Sequence, residues 1–278
     1  SSDLPSEFRQ VVSDAWPEFN RAVISNVYAD EAGQIWCYTS SHVYRYHFLT
    51  DSLQRMDGTY SSLWVEGNDV YATADNELHK YDKKSGHFVI VAQFKGWGKL
   101  RAADKDKLYL VTNRSLVRYD RRTGTCDYVA YPDGEYRKEN INLLSQEGRL
   151  WVTNYKGKCY VVPEDFTRMI RWEDAELDAW IGNQVSHMAA GGGLIYFTTV
   201  YRGVAVYEVA VKKIVARLHN AVGYPSTISH NNIQSIYLDQ MNGLWIGSFA
   251  GGLDFVNIRD GGVSVYKQIL HMPNAVGS

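Results

Sequence analysis

Aromatic and arginine side chains lie side by side in several predicted loops of this chain. The pairs Tyr136–Arg137 and Tyr201–Arg202 are examples. An aromatic ring can cover the apolar C–H face of a sugar, while a planar guanidinium hydrogen-bonds neighbouring hydroxyl groups in pairs. The chemistry offered is therefore recognition of a polar small molecule, such as an oligosaccharide. The candidate ligand-binding residues are Trp97, Arg114, Tyr136, Arg137, Tyr155, Trp180, Tyr201, Arg202 and Phe249.

Each of these residues also has a structural interpretation. Tyr155, Tyr201 and Phe249 directly follow predicted strands, where a ring commonly packs between sheets. Surface arginines are usually solvated or ion-paired and bind nothing. Trp97 lies between two glycines and Trp180 in a polar segment. For both tryptophans, exposure to a ligand and burial beneath the loop remain open.

Catalysis would require a different set of groups. A lyase or glycoside hydrolase built on such a fold needs a histidine with a carboxylate, or two carboxylates, near its centre. The acidic residues here are mostly aspartates in predicted turns, where the side chain caps the turn. The sequence contains no G-x-S-x-G, H-E-x-x-H or P-loop motif, and no Cys/His spacing typical of zinc. We expect no catalytic residue, metal or cofactor; His42 or His187 beside a buried carboxylate would favour the enzyme alternative.

Composition narrows the choice of partner. The 278 residues include 29 basic and 31 acidic side chains, a formal net charge of -2, so no overall field favours nucleic acid. From Ala179 to Tyr201 there is no charged residue, but polar side chains and three consecutive glycines argue against a membrane span. Cys37, Cys126 and Cys159 are predicted to be small buried hydrophobic residues.

The elements that must position the candidate residues form a repeat. From Ile233 to Ile269, four short strands alternate with three turns. An apolar–aromatic pair followed by a small hydroxyl residue marks the second strand of every unit, and recurrence at this spacing is typical of repeat proteins. The pairs and their hydroxyl residues are Ile35–Trp36 with Thr39, Val70–Tyr71 with Thr73, Leu108–Tyr109 with Thr112, Leu150–Trp151 with Thr153, Ile195–Tyr196 with Thr198, and Leu244–Trp245 with Ser248.

The repeat predicts an all-β fold, a β-propeller of about six to seven four-stranded antiparallel blades. We expect one domain over residues 1–278. Its units span about 21–56, 61–92, 100–131, 140–172, 186–218 and 230–269. The best helical segment, Glu173 to Trp180, is too short to be stable alone and is predicted to be a long loop.

Residues 270–278 are predicted to lead into a further repeat. The sequence Asn-Ala-Val-Gly at 220–223 introduces the last unit, and the same four residues recur at 274–277. We therefore expect the natural protein to continue beyond this chain.

Because strands alternate in direction, the loop between strands two and three and the loop leading into strand one open on the same face of a blade. Binding residues are commonly carried by such loops on a rigid frame. The candidate residues fall in these two sets of loops. We expect a ligand on that face.

The segment from Asn231 to Phe255 carries the string N-N-I-x-S-I-x-x-D, then G-L-W-I-G-S, then G-G-L-x-F. This string resembles the two-component regulator propeller repeat of the extracytoplasmic sensor halves of hybrid two-component systems. The first unit, with Asp30 and Trp36, is similar but weaker. The middle units keep the aromatic residue and lose the aspartate and the double glycine.

The resemblance implies a non-catalytic, periplasmic, ligand-sensing domain that recognises an oligosaccharide released from a glycan. In such systems the propellers precede a β-sandwich, a membrane span and a cytoplasmic histidine kinase, so we expect this chain to be a fragment of a longer sensor region. The implied partners are neighbouring propeller or sandwich domains of the same chain and a second copy in a homodimer. The family usually has seven blades per propeller, whereas this sequence shows six units.

A protein-interaction scaffold is a further functional alternative.

Overall fold

The computed structural model describes residues 11–132, 141–154, 157–182, 185–221, 227–249, 251–259 and 262–266. Six four-stranded antiparallel sheets occupy these residues, and each pairs its strands in chain order. The predicted all-β propeller fold is confirmed. We number the sheets blades 1 to 6.

Blades 1 to 3 contain β1 (Asn26–Ala29), β2 (Gln34–Tyr38), β3 (Val43–His47), β4 (Ser52–Arg55), β5 (Ser62–Glu66), β6 (Asp69–Ala74), β7 (Glu77–Asp82), β8 (His87–Gln93), β9 (Gly98–Asp104), β10 (Lys107–Thr112), β11 (Ser115–Asp120) and β12 (Cys126–Ala130). Blades 4 to 6 contain β13 (Asn142–Gln146), β14 (Arg149–Thr153), β15 (Cys159–Val162), β16 (Ile170–Arg171), β17 (Val185–Gly191), β18 (Leu194–Thr199), β19 (Val204–Glu208), β20 (Lys213–Leu218), β21 (Ile233–Leu238), β22 (Gly243–Ser248), β23 (Gly252–Arg259) and β24 (Gly262–Tyr266). A 3-10 turn, Phe19–Arg21, precedes β1, and one α-helix, α1 (Ala175–Ile181), follows β16.

The chain divides into two compact units. The first ends at Asp127 and the second begins at Tyr128, except that Ala102–Lys105 belongs to the second. Blades 1 and 2 and most of blade 3 form the first unit, and blades 4 to 6 with α1 form the second. A single domain over 1–278 stays a prediction, and the lead-in at 270–278 lies outside the described residues.

The six marker aromatics occupy the same place in every blade. Each is the third residue of the second strand, on β2, β6, β10, β14, β18 and β22. Five of them are buried, whereas Trp245 of blade 6 is 38% exposed. The repeat read from the sequence is therefore a repeat of structure.

Successive blades interlock through these aromatics. In three places, the aromatic of one blade lies in a hydrophobic cluster with the second and fourth residues of the next blade's second strand. Because side chains alternate along a strand, the third residue faces the opposite way from the second and fourth. The sets are Trp36 with Val70 and Ala72, Trp151 with Ile195 and Phe197, and Tyr196 with Leu244 and Ile246.

Aspartates fasten the first turn of blades 1 and 6 to the marker aromatic. The carboxylate of Asp30 accepts hydrogen bonds from two backbone N–H groups of its turn, at 3.0 and 2.9 Å, and from the indole N–H of Trp36 at 2.9 Å. Asp239 accepts from its own turn at 2.9 and 2.7 Å and from Trp245 at 3.0 Å. This double role explains why each aspartate precedes its tryptophan by six residues.

The small hydroxyl residues after the aromatics play two structural roles, although they appear as one feature of the sequence repeat. Three residues after the aromatic, Thr112 stabilises the turn between strands two and three, because its hydroxyl accepts the N–H of Ser115 at 3.0 Å. Where the hydroxyl residue lies two positions after the aromatic, it hydrogen-bonds a serine of the first strand instead. Thr73 and Ser62 place their hydroxyl oxygens 2.5 Å apart, and Thr198 lies 2.7 Å from Ser186.

Helix α1 corrects the prediction of a loop at 173–180. The Asp174 side chain caps the helix by accepting the N–H of Leu177 at 3.0 Å. Leu177 and Ile181 are buried in the core of the second unit. A seven-residue helix is unstable alone, so this tertiary burial supplies the stability that its length does not.

Two of the three cysteines match the predicted role of buried hydrophobic residues. Cys37 and Cys159 are buried, Cys126 is half-buried, and all three are free thiols. Burial raises the pKa of Cys37 to about 11. Among the described residues, no helix is long and apolar enough to cross a membrane.

The interlocked core predicts a large cost for truncating Phe197. Because this ring is fully buried, Phe197→Ala should lower the free energy of unfolding by about 3–5 kcal/mol. Phe48→Ala removes the same ring from an exposed turn and should change it by less than about 0.5 kcal/mol. Urea unfolding of both variants measures the difference, and equal midpoints would contradict the packing described.

The turn after β11 predicts a pH dependence. The Lys107 ammonium and the backbone N–H groups of Arg122 and Thr123 hold the pKa of Asp120 far below its ordinary value. A depressed pKa means that the ionised carboxylate stabilises the fold above the unfolded pKa of about 3.9, and that this contribution is lost as the pH falls towards the folded pKa. Asp120→Asn should therefore show a smaller fall in urea midpoint between about pH 6 and pH 3 than the parent chain does.

The exposed Asp14→Asn serves as the matched control. It should keep the acid sensitivity of the parent chain. If Asp120→Asn also kept it, the proposed role of the Asp120 carboxylate would be wrong.

Candidate ligand-binding faces

A cleft lies on the predicted loop face of the first unit. Its volume is about 330 Å³, at the lower end of the range for small-molecule sites. The cleft is formed where the loops after β2, β4 and β6 meet the start of β9. The lining residues are Tyr38, Ser40, Thr59, Tyr60, Ser61, Ala74, Asp75 and Lys99.

Two tyrosines and several polar groups line this cleft. Tyr38 and Tyr60 are largely buried, and their hydroxyls donate to the carbonyls of Ser40, at 3.3 Å, and of Asp57, at 2.7 Å. Burial raises the pKa of Tyr60 to about 12, so its hydroxyl stays protonated at neutral pH. Asp75 is held with φ at 49°, in the left-handed region that aspartate tolerates better than most residues. Hydroxyl, carboxylate and ammonium groups together suit a polyhydroxylated ligand.

Trp97 lies beside the cleft and is 64% exposed. The next residue, Gly98, is hydrogen-bonded to two residues that line the cleft. Its N–H donates to the carbonyl of Asp75 at 3.1 Å, and the Ser61 hydroxyl donates to the carbonyl of Gly98 at 3.1 Å. The neighbouring turn carries Arg114, which is exposed. The structure thus brings two of the candidate residues to one edge of the first unit.

Close packing of two loops holds Trp97 near Arg114. Gly96 has φ at 85°, and a Cβ atom there would lie 2.3 Å from Oδ1 of Asn113 and 3.6 Å from Cγ of Arg114. The left-handed backbone at this position favours glycine. The spacing of Trp97 between glycines is therefore a structural requirement of the loop.

In the second unit, Tyr201 and Phe249 flank one loop. The Gly203 N–H donates to the carbonyl of Asn231 at 3.0 Å, and the Phe249 N–H donates to the carbonyl of Asn232 at 2.9 Å. Both rings are exposed, by 71% and 74% of their surface. The loops that carry these two rings are therefore both hydrogen-bonded to the segment that leads into β21.

Arg202 and Trp180 meet at the C-terminus of α1. The Arg202 guanidinium donates to the carbonyl of Trp180 at 3.0 Å and to the carbonyl of Ala179. A cation at this end of a helix also complements the helix dipole. The Trp180 ring is half-buried against the core, with the Arg217 guanidinium 5.4 Å from its centre. These contacts give both residues structural roles.

Three candidate residues, Tyr136, Arg137 and Tyr155, lie outside the described residues. Conversely, Tyr38 and Tyr60 line the cleft although sequence reasoning did not select them. In the sequence, both resemble the other buried aromatic residues. Only the meeting of their loops in three dimensions marks them as cleft residues. The sequence gives some indication of Asp75 and Lys99 as cleft residues, since they lie in or directly after the predicted loops.

The groups that catalysis would need have structural partners. The Nδ1 atom of His42 lies 2.8 Å from the hydroxyl oxygen of Ser41. The fully buried Asp254 carboxylate accepts from the N–H and the hydroxyl of Ser229, at 2.7 and 2.5 Å. In the part of the chain that the structure describes, no group of three or more His, Cys, Asp or Glu could hold a metal ion.

Comparison with known proteins identifies the last repeat. Residues 227–250 match the family model described as two component regulator propeller. The last repeat is therefore similar to the repeat of this family. The match spans β21 and β22, including the Asp239–Trp245 hydrogen bond, so the family pattern corresponds to a fastened turn and its marker aromatic. No curated protein matches the chain in sequence.

Solved structures with this fold include the extracellular domain of BT4673 from B. thetaiotaomicron. One structure describes it as a one component system, with 15% identity and a TM-score of 0.55, and another as a hybrid two component system, with 16% identity and a TM-score of 0.59. In both, the alignment covers 84% of this chain and 38% of the BT4673 chain. The computationally designed Ika8 protein has a TM-score of 0.63 at 11% identity, with coverage of 87% and 74%. At these identities, the similarity shows the propeller fold.

The contacts of Arg202 predict that it holds the end of α1 in place. Arg202→Gln removes the charged donor to two terminal carbonyls, so amide hydrogen exchange across residues 177–182 should become about tenfold faster, which corresponds to about 1.4 kcal/mol. Lys83→Gln, an exposed change in the first unit, should leave this exchange unchanged. Unchanged exchange in Arg202→Gln would contradict the structural role of Arg202 and leave it only as a ligand-binding candidate.

Proposed function

We propose that this chain is a non-catalytic, extracytoplasmic, ligand-sensing propeller of a hybrid two-component regulator. The two component regulator propeller repeat at residues 227–250 and the fold shared with the extracellular domain of BT4673 support this proposal. The chain spans 38% of the length of that domain. A periplasmic location, neighbouring propeller or β-sandwich domains, a homodimer and a histidine kinase elsewhere in the protein are parts of the same proposal.

We further propose that the ligand is a glycan-derived oligosaccharide. The observation that carries this proposal is the cleft of about 330 Å³ with Trp97 beside it. The exposed ring of Trp97 offers apolar surface, while Asp75 and Lys99 offer hydrogen-bonding groups. Such a combination suits a molecule that presents both C–H faces and hydroxyls.

The loop architecture gives the cleft a rigid frame. Backbone hydrogen bonds join the loop before β9 to the carbonyls of Asp75 and Asn76, at 3.1 and 2.9 Å. A site whose loops are fixed before the ligand arrives loses less conformational entropy on binding. Binding should therefore need little rearrangement of the first unit.

Calorimetric titration of the purified chain with oligosaccharides from plant, host and microbial glycans tests the proposal. We expect saturable heat with one class of oligosaccharide and no new reducing ends or unsaturated products after long incubation. New reducing ends would favour a glycoside hydrolase, and unsaturated products a lyase. No heat with any oligosaccharide would contradict recognition by this chain and favour an interaction scaffold.

Substitution at the cleft locates the binding site. Trp97→Ala should weaken binding at least about tenfold, the loss expected for one well-placed contact of about 1.4 kcal/mol. Asp75→Asn tests the polar side of the cleft and should also weaken binding. Phe48→Ala removes an equally exposed ring from the β3–β4 turn and should bind like the parent chain. Equal affinity for all four proteins would exclude the cleft.

A further inference from the structure

A second cavity lies between blades 1 and 2, at the end of the blades opposite to the cleft. Its volume is about 230 Å³, and it is formed by the β1–β2 turn, the β7–β8 turn and the strands beside them. This volume is below the usual range of about 300–1,000 Å³ for small-molecule sites, so a ligand here must be compact. The lining residues are Asp30, Ala32, Gln34, Trp36, Arg45, Val70, Tyr81 and Lys83.

The groups that a ligand can reach in this cavity are mainly polar. Trp36, Val70 and Tyr81 are almost completely buried. Arg45 and Gln34 are half-buried, and Lys83 is exposed. The aromatic residues therefore shape the wall, while the cations and the amide offer hydrogen bonds.

Uncharged groups hold Arg45 in place. Its guanidinium donates to the hydroxyl of Tyr81 and to Oε1 of Gln54, both at 2.6 Å. Its Cζ atom lies 5.4 Å from the ring centre of Tyr81 and 5.7 Å from that of Trp36. These contacts orient the guanidinium but supply no negative charge, and no carboxylate of the described residues lies within ion-pair distance of it.

Blade 3 pairs the corresponding arginine with a carboxylate. Arg118 in β11 and Arg45 in β3 are each the cross-strand neighbour of the marker aromatic of their blade. The Arg118 guanidinium donates at 2.7 Å to the carboxylate of Asp127, nine residues later. The residue nine positions after Arg45 is Gln54, an amide. Blade 1 therefore keeps the cation and lacks the carboxylate that balances it in blade 3.

Two further groups complete the set. Lys83 brings a second cation, and in the described part of the chain it makes no ion pair. Oε1 of Gln34 is buried and accepts no hydrogen bond from the described residues. A buried acceptor without a donor destabilises a fold, so a donor is expected beside it. Asp30 also lines the cavity, but its carboxylate already accepts three hydrogen bonds.

We propose that this cavity binds a compact hydroxy acid, a small molecule that carries a carboxylate next to a hydroxyl group. The carboxylate binds the Arg45 guanidinium and the Lys83 ammonium, and the hydroxyl donates to Oε1 of Gln34. Hydrogen bonds from a guanidinium to an oxyanion are stronger than those to a neutral acceptor. Acidic monosaccharides and smaller hydroxy acids share this chemistry. The site is separate from the cleft and does not rest on oligosaccharide binding there.

Nuclear magnetic resonance titrations with D-glucuronate and with glycolate test the proposal and separate the two sources of the ligand. The tighter ligand should move the amide signals of residues 30–34 and 81–86 in a saturable way. Glucose lacks the carboxylate of glucuronate and should bind at least about tenfold more weakly. Acetate lacks the hydroxyl of glycolate and should bind at least about threefold more weakly than glycolate. Equal affinities within either pair would overturn the corresponding contact.

Gln54→Glu restores in blade 1 the carboxylate that blade 3 provides. The new side chain has nearly the same shape and should compete for the Arg45 guanidinium. It should weaken binding of the tighter ligand at least about tenfold without lowering the urea midpoint. Gln240→Glu makes the same charge change in the exposed β21–β22 turn and should bind like the parent chain.

Lys83→Gln should weaken binding at least about threefold, whereas Lys84→Gln, in the same turn but outside the lining, should not change it. Unchanged affinity in Gln54→Glu would overturn the role of Arg45. Absence of shifts at 30–34 and 81–86 with either hydroxy acid would overturn the site. Shifts confined to residues 59–61 and 97–99 would place the ligand in the cleft and overturn it as well.

The cleft variant Trp97→Ala makes the two sites independent in the test. It should leave binding of the hydroxy acid at 30–34 and 81–86 unchanged. Loss of these shifts in Trp97→Ala would contradict a separate site, whatever the outcome with oligosaccharides.

Discussion

The structure depends on one packing constraint, the contact between a marker aromatic and the apolar residues of the next blade. A single four-stranded meander has two faces and cannot bury both by itself. Placing Trp36, Trp151 or Tyr196 among the second and fourth residues of the following second strand satisfies both blades at once. The alternation of large and medium residues along the second strand is therefore the part of the sequence that fixes the architecture.

The buried apolar contacts lie at the interfaces between blades, so the turns and loops can take other roles. Turn aspartates such as Asp30 and Asp239 fasten one end of the blade to the core through an indole N–H. The loops at the other end are joined mainly by backbone hydrogen bonds, which leaves side chains such as Trp97 exposed. A propeller of this kind can therefore vary its loop side chains without altering its core.

The fold was predictable from the sequence because the repeat signal survives in every unit. The aromatic positions, the third strands and the turn aspartates all follow from spacing. Helix α1 was not predictable, since its stability comes from burial of Leu177 and Ile181 and from the Asp174 cap. The cleft was only partly predictable, because Tyr38 ends β2 whereas Tyr60 lies in the connection between β4 and β5, and their meeting depends on loop paths that spacing does not encode.

The central claim is that the aromatic of one blade and the apolar residues of the next stabilise the fold as a unit. A double-mutant cycle on Tyr196 and Ile246, which lie in one cluster, measures this most directly. Urea unfolding of Tyr196→Ala, Ile246→Ala and the double variant should give an interaction energy of at least about 0.5 kcal/mol, as for residues in contact. Simple additivity of the two single changes would contradict the interlock on which the account depends.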